Sequence, residues 1–203
     1  MRTGILGGTF NPPHYGHLHA AKQVKEALNL DKVLFIPTNL PPHKKMPKGS
    51  ANTCQRCEMI KLMIDGLEWA ELSMIEIERG GSSYTIDTLR ELNDKKIYGE
   101  LFFLMGTDML MTLDTGWREP EEICKLCTLA VVARGLNEHT ILKNKAQFLR
   151  EKYNAKISLI DADVIEISST EIRNGQKLSE MLPKTVLDYI RKNRLYMDLT
   201  EKI

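Results

Sequence analysis

The sequence predicts an α/β protein: a doubly wound, mostly parallel Rossmann-like sheet with a small helical C-terminal part over about residues 168–203. Three observations predict it. Short apolar runs suited to buried strands alternate with segments whose apolar residues recur every three to four positions. The segments between successive runs are long enough to hold helices, which favours parallel pairing through right-handed crossovers. The glycine-rich and polar stretches follow the strand-like runs, at the carboxyl ends where open α/β sheets bind ligands. A chain of 203 residues can bury one full core, so the expected organisation is a single domain over residues 1–203.

Thr3–Gly7 opens as a strand apolar on both faces, and Leu18, Ala21, Val24 and Leu28 give the next segment a helical stripe. Val33–Ile36 is a second strand, followed by a loop over Pro37–Ser50 rich in Pro, Lys and Asn. Asn52 or Thr53 is placed to cap a helix running to about Gly66, with Cys57, Ile60, Met63 and Ile64 inward. Partial alternation over Leu72–Glu78 predicts a third strand. A flexible loop at Gly80–Ser83 then leads into a helix to Asp94 carrying Ile86, Leu89 and Leu92. The uninterrupted apolar run Leu101–Met105 marks a central strand. Thr107 or Asp108 is placed to cap the helix after it, and Pro120 suits the first turn of a helix over Glu121–Leu126. Leu129–Ala133 is a buried strand, His139–Tyr153 a polar helix, and Lys156–Ile160 and Val164–Ile167 two short strands. A helix begins near Ser168 and ends at Gly175, and Pro183–Asn193 forms the last one.

Composition bounds the function. Apolar residues make up 42% of the chain, no apolar run approaches a membrane span, and the N-terminus lacks the pattern of a signal peptide. These features predict a cytoplasmic protein with no membrane partner. A net charge of +1 argues against a nucleic-acid-binding surface but leaves room for a small anionic ligand. The four cysteines form two C-x-x-C pairs, Cys54/Cys57 and Cys124/Cys127. Both pairs sit in helical patterns without the Gly- or Pro-rich setting of a zinc knuckle, so packed reduced thiols are expected, with a zinc site as the alternative. The polar helix and the C-terminal helix could each face solvent or a second copy of the chain, which leaves a homo-oligomer open.

The stretch Gly7-Gly-Thr-Phe-Asn-Pro-Pro-His-Tyr-Gly-His17 carries the chemistry. Its glycines permit a tight turn and close approach of backbone to ligand. With a helix beginning near Gly16, His14, His17 and free backbone N–H groups gather at its positive end, a setting for anions. The other strand ends add Asn39–Lys44, Gly80–Thr85, Gly106–Asp108, Arg134 and Ser168–Arg173. Donors and cations dominate this set, with no nucleophile elbow and no tight carboxylate cluster. Such a set suits phosphates, where catalysis is positioning and charge stabilisation.

Five blocks, Gly7–His17, Pro41-Pro-His-Lys44, Ser83-Tyr-Thr-Ile-Asp-Thr-Leu89, Gly106-Thr-Asp108 with Trp117, and Ile167-Ser-Ser-Thr-Glu-Ile-Arg173, together resemble the bacterial nicotinate-nucleotide adenylyltransferases. These belong to the His-x-Gly-His nucleotidyltransferase superfamily. Asn11 departs from the Asp frequent there. The resemblance implies transfer of AMP from ATP to nicotinate mononucleotide, giving nicotinate adenine dinucleotide and pyrophosphate. Alternatives are an adenylyltransferase for nicotinamide mononucleotide or phosphopantetheine, a cytidylyltransferase, or a non-catalytic nucleotide-binding domain. It implies catalytic roles for His14, His17 and Arg173. ATP binding falls to Gly7, Gly8, Thr9, Phe10, Gly106, Asp108, Arg134, Ser169 and Thr170, and mononucleotide binding to Asn39, Lys44, Thr85 and Trp117. Mg2+ is expected to be held mainly by ATP phosphates and water, with no protein-built metal site.

Overall fold

The longest apolar run lies inside the sheet. The computed structural model describes residues 1–42, 45–133, 139–162, 165, 167–175 and 178–196. Its strands are β1 (Arg2–Gly8), β2 (Lys32–Pro37), β3 (Ala70–Leu72), β4 (Glu100–Gly106), β5 (Thr128–Ala133) and β6 (Ile157–Asp161). They form one sheet in the order β3-β2-β1-β4-β5-β6. Pairing is parallel, with Thr3 opposite Leu101, Leu104 opposite Ala130 and Val131 opposite Leu159. Growth in one direction as far as β3, then in the other from β1, is the order of a doubly wound fold. β4 reads as a continuous apolar run because both of its faces are covered, and Leu101–Met105 are all buried.

The helices are α1 (Tyr15–Ala27), α2 (Thr53–Ile64), α3 (Ile75–Arg79), α4 (Thr85–Asp94), α5 (Thr107–Gly116), α6 (Pro120–Leu126), α7 (His139–Tyr153), α8 (Ser169–Arg173), α9 (Leu178–Met181) and α10 (Lys184–Lys192). Among the described residues none is long and apolar enough to cross a membrane. α2 starts where its cap predicts. Asn52 accepts from the Gln55 N–H while the Gln55 side chain accepts from the Asn52 N–H, a reciprocal capping box. Pro120 occupies the first turn of α6, and Gly175, at φ +79°, follows α8 as predicted.

The chain divides into two compact units. One comprises residues 1–6, 20–34 and 84–164. Its core includes Ile5, Leu89, Leu92, Leu110, Leu113, Leu129, Val131, Leu142 and Leu149. A half-shielded ion pair between Lys145 and Asp114 ties α7 to α5. The other unit comprises residues 7–19, 35–83 and 165–203. Here α10 buries Val186, Leu187 and Ile190 and packs on α2, and the Thr185 hydroxyl donates to the Leu62 carbonyl at 3.0 Å. This unit contains the helical part expected after residue 168, with α9 as an added turn.

Some expectations are corrected. The third strand stops at Leu72, and Ile75–Arg79 is helix instead of strand. The Ser73 N–H bonds to the Phe35 carbonyl at 3.0 Å, and the following Ile-Glu-Ile-Glu-Arg is good helix-forming sequence with Ile75 and Glu76 buried side by side. Gly106, not Thr107 or Asp108, takes the capping position of α5, with no side-chain bond. The strand expected at Val164–Ile167 falls largely outside the described residues. The cysteines are free thiols; Cys57, Cys124 and Cys127 are packed as expected, but Cys54 is exposed, because it sits on the outer side of the first turn of α2. Burial pushes the Cys124 thiol up to about 11 and the Cys127 thiol to about 12.

Candidate active site

The chain leaves β1 by a sharp turn, and that turn falls on Phe10, not on the glycines. Gly7 and Gly8 are the last residues of the strand, and the left-handed conformation belongs to Phe10, at φ +46°. The reason is packing. The Phe10 ring is 1% exposed and lies 4.8 Å from the His17 ring and 6.1 Å from Phe35, so its burial holds a backbone conformation that a bulky residue rarely adopts. A side chain at Gly7 would meet no atom within 4 Å, so the backbone is open there. The peptide bond between Asn11 and Pro12 is cis.

Two hydrogen-bonding systems fix this turn. The first ties it to the chain after β2. The Thr38 N–H donates to the Gly8 carbonyl at 2.8 Å. Arg56, from α2, donates to the Thr9 and Thr38 carbonyls, each at 2.7 Å, and to the Thr53 hydroxyl at 3.3 Å. The second centres on Asn11. Its side-chain oxygen accepts from the Tyr196 hydroxyl at 2.7 Å and the Ala51 N–H at 3.2 Å. Its amide donates to the Ser50 hydroxyl at 2.8 Å, while Ser50 donates to the Pro47 carbonyl at 2.6 Å. A carboxylate at position 11 would have no proton to give Ser50, so the asparagine matches its surroundings. Arg173 donates to the Asn11 carbonyl at 2.7 Å and to the Thr170 hydroxyl at 3.1 Å, and the Ser169 hydroxyl donates to the Pro12 carbonyl at 2.9 Å. Ser168 caps α8 through a reciprocal pair with Glu171.

The predicted histidines meet at the start of α1, which begins at Tyr15, one residue before Gly16. Their ring centroids are 3.8 Å apart and the planes tilt by 37°. The His14 N–H donates to His17 Nδ1 at 3.3 Å. With Nδ1 accepting, a neutral His17 carries its proton on Nε2. Burial pushes the His14 pKa down to about 4, against an opposing pull from Glu171. Burial, and then the neighbouring His14, also holds His17 well below the ordinary histidine value. Both rings are therefore neutral near pH 7. A side chain on Gly16 would come within 3.0 Å of His14 Nδ1 and 3.1 Å of Cε1, so the glycine between the histidines makes room for the first ring.

The structure therefore brings together Gly7, Gly8, Thr9, Phe10, His14, His17, Ser169, Thr170 and Arg173 within one unit. Asn39 belongs to the same unit; its N–H donates to the Ser83 hydroxyl at 2.9 Å and its amide to the Gly81 carbonyl at 3.1 Å. Gly106, Asp108, Thr85 and Trp117 lie in the other unit. Asp108 is exposed in the first turn of α5 and makes no capping bond. Thr85 opens α4. Trp117 is half-buried, its ring edge-on to Phe103 at 5.8 Å and its Nε1–H 3.4 Å from the Thr112 hydroxyl. Lys44 and Arg134 lie outside the described residues.

The sequence reading missed Arg56 and Tyr196 and gave Asn11 no structural role. A signal existed for Arg56. It stands with Met59, Ile60 and Met63 at helical i, i+3, i+4, i+7 spacing, which puts a guanidinium on the buried stripe of α2. Nothing local marks Tyr196, whose partner is 185 residues away.

A doubly wound sheet whose first loop presents His-x-Gly-His to a helix start defines a nucleotidyltransferase. The chain belongs to the cytidylyltransferase-like family, whose profile matches residues 5–175. Within it the chain is similar, along nearly its whole length, to bacterial proteins named "Probable nicotinate-nucleotide adenylyltransferase". That of Dictyoglomus thermophilum is 39% identical over 202 residues, covering 97% of this chain and 100% of its relative. That of Clostridium novyi is 40% identical over 200 residues, covering 96% and 98%. The fold is shared with a solved structure, Plasmodium falciparum nicotinic acid mononucleotide adenylyltransferase complexed with NaAD, at a TM-score of 0.76, 20% identity and 97% coverage of both chains.

Proposed function

We propose that the protein transfers the AMP part of ATP to nicotinate mononucleotide, forming nicotinate adenine dinucleotide and releasing pyrophosphate, in NAD biosynthesis. The observation that carries the reading is the stacked histidine pair, in a chain similar along nearly its whole length to proteins named nicotinate-nucleotide adenylyltransferase. In the reaction, a 5′-phosphate oxygen of the mononucleotide forms a bond to the α-phosphorus of ATP. The bond from that phosphorus to the bridging oxygen breaks, and the electron pair leaves with pyrophosphate. The attacking phosphate is already ionised, so no general base is required. Neutral His17 donates through Nε2–H, and with His14 it stabilises the charge that builds on the phosphoryl oxygens.

The backbone of Gly7, Gly8, Thr9 and Phe10 lines the path of ATP. Ser169, Thr170 and Arg173 meet its β- and γ-phosphates. Ser169 and Arg173 also hold the histidine loop, and Arg173 keeps further N–H donors. Gly106 allows close approach of the nucleotide, Asp108 accepts from the adenosine ribose, and Arg134 flanks the adenine or the phosphates. Asn39 and Lys44 bind the mononucleotide phosphate or ribose, Thr85 reads the carboxylate, and Trp117 stacks on the pyridine ring. Among the described residues no three His, Cys, Asp or Glu side chains gather to hold a metal ion. A divalent ion such as Mg2+ would be held mainly by the ATP phosphates and water, where it would offset charge on the departing pyrophosphate. A cytoplasmic location is part of this proposal.

Pyrophosphate release with ATP, Mg2+ and each of nicotinate mononucleotide, nicotinamide mononucleotide and phosphopantetheine tests the reading. Strong preference for the first is expected, because a desolvated carboxylate site loses its anionic partner with the amide. Turnover with none of the three refutes it. His17→Ala should lower kcat by about 10²-fold or more; an unchanged kcat removes His17 from the mechanism.

A further inference from the structure

We propose that Arg56 is a positioning residue for adenylyl transfer, turning the peptide between Thr9 and Phe10 so that the Phe10 N–H is presented as a donor to a phosphate of ATP. The inference rests on the function proposed above. Three observations carry it.

First, Arg56 is a buried cation without a counter-anion. It is 2% exposed, its acceptors are two backbone carbonyls and one hydroxyl, and its Nε–H has no partner. Among the described residues no carboxylate pairs with it. A buried guanidinium left without a carboxylate is costly, so a purely structural tie would be made more cheaply by a neutral side chain. Second, its fork spans two loops, holding the Thr9 carbonyl after β1 and the Thr38 carbonyl after β2 at equal distances. A guanidinium places these two donors on separate nitrogens of one rigid fork, which a lysine cannot do. Third, a planar trans peptide points its C=O and its N–H in opposite directions. With the Thr9 carbonyl on Arg56, the Phe10 N–H faces away from Arg56. Among the described residues that N–H makes no hydrogen bond to a backbone acceptor. It lies in the turn that leads to the two histidines, and an anionic oxygen would satisfy it.

The test has two arms. In wild-type protein labelled with 15N, a non-hydrolysable ATP analogue should move the Phe10 amide proton downfield; an unmoved resonance overturns the proposal and needs no variant. In the second arm, kcat and KM are measured for Arg56→Lys, which keeps the charge and loses the fork, and for Arg56→Met, which loses both. Each is assayed below its melting temperature, with the folded fraction fixed by circular dichroism. The expected result is a kcat lowered at least about 10-fold in the lysine variant and further in the methionine variant. The KM for nicotinate mononucleotide should stay within about threefold, because Arg56 acts on the ATP-facing turn. A folded Arg56→Lys with wild-type kcat overturns the proposal and leaves the proposed function standing. Wild-type protein that turns over no acceptor sinks both.

Discussion

Acidification from pH 7 to pH 5 should weaken the fold through His14. The ring is 5% exposed, and burial, partly offset by Glu171, puts its folded pKa at about 4 against 6.5 when unfolded. The unfolded chain therefore takes up a proton well before the folded one, and stability falls wherever the unfolded state binds more protons. The contribution is fully present above pH 6.5 and is lost as the pH drops toward 4. At pH 5 the unfolded imidazole is almost wholly charged and the folded one almost wholly neutral, which linkage converts to about 2 kcal/mol lost relative to pH 7. His17, depressed by burial and by His14, adds in the same direction. Aspartates and glutamates with ordinary values titrate mainly below this window. Urea unfolding at pH 7, 6 and 5 should show a fall of at least about 2 kcal/mol that shrinks by about that amount in His14→Asn, whose side chain does not titrate. Equal pH slopes in the two proteins would refute the assignment of a buried, neutral His14.

Two further perturbations separate site geometry from stability. Gly16→Ala gains helix propensity of about 1 kcal/mol in α1, but its methyl meets His14 Nδ1 at 3.0 Å. The melting temperature should change by only a few degrees while kcat falls, and an unaltered kcat would show that the His14 position is not critical. Tyr196→Phe deletes the donor to the Asn11 side chain and should cost about 1 kcal/mol. Denaturant midpoints measure this, and no loss would mean that the contact carries no stability.

What could be read in advance divides by how local its cause is. α7 matches its predicted limits, His139–Tyr153, because a polar helix declares itself by period alone. α2 begins at its Asn52 cap for an equally local reason. Parallel pairing followed from the alternation of elements, but the order β3-β2-β1-β4-β5-β6 depends on which crossover goes which way, and no single segment encodes that. The histidines could be found from their spacing. Their neutral state could not, since it depends on burial, with His17 beside the Phe10 ring, outweighing the opposing pull of the distant Glu171 on His14. Asn11 could be read only as a departure from a motif, because its partners at Ser50, Ala51 and Tyr196 come from far along the chain.

Arg56 shows why a charged residue on an apolar stripe is the hardest kind to read. Locally it is an ordinary helical arginine; its role appears only when carbonyls from residues 9 and 38 are brought to it. It also has a counterpart. Arg173 donates to the Asn11 carbonyl, so two guanidiniums hold the carbonyls on either side of Phe10, the one residue of the turn in a left-handed conformation. The negative ends of these peptides are thereby turned toward the protein's own cations. What the turn offers to a ligand is N–H and imidazole, and the imidazoles are uncharged. A site built this way attracts phosphate through oriented dipoles and fixed cations, so its anion affinity does not require a protonated histidine. The consequence is a separation in pH. Binding of ATP should persist unchanged from pH 6 to pH 8, across the ordinary histidine range, whereas a site relying on imidazolium would lose affinity steadily over the same interval.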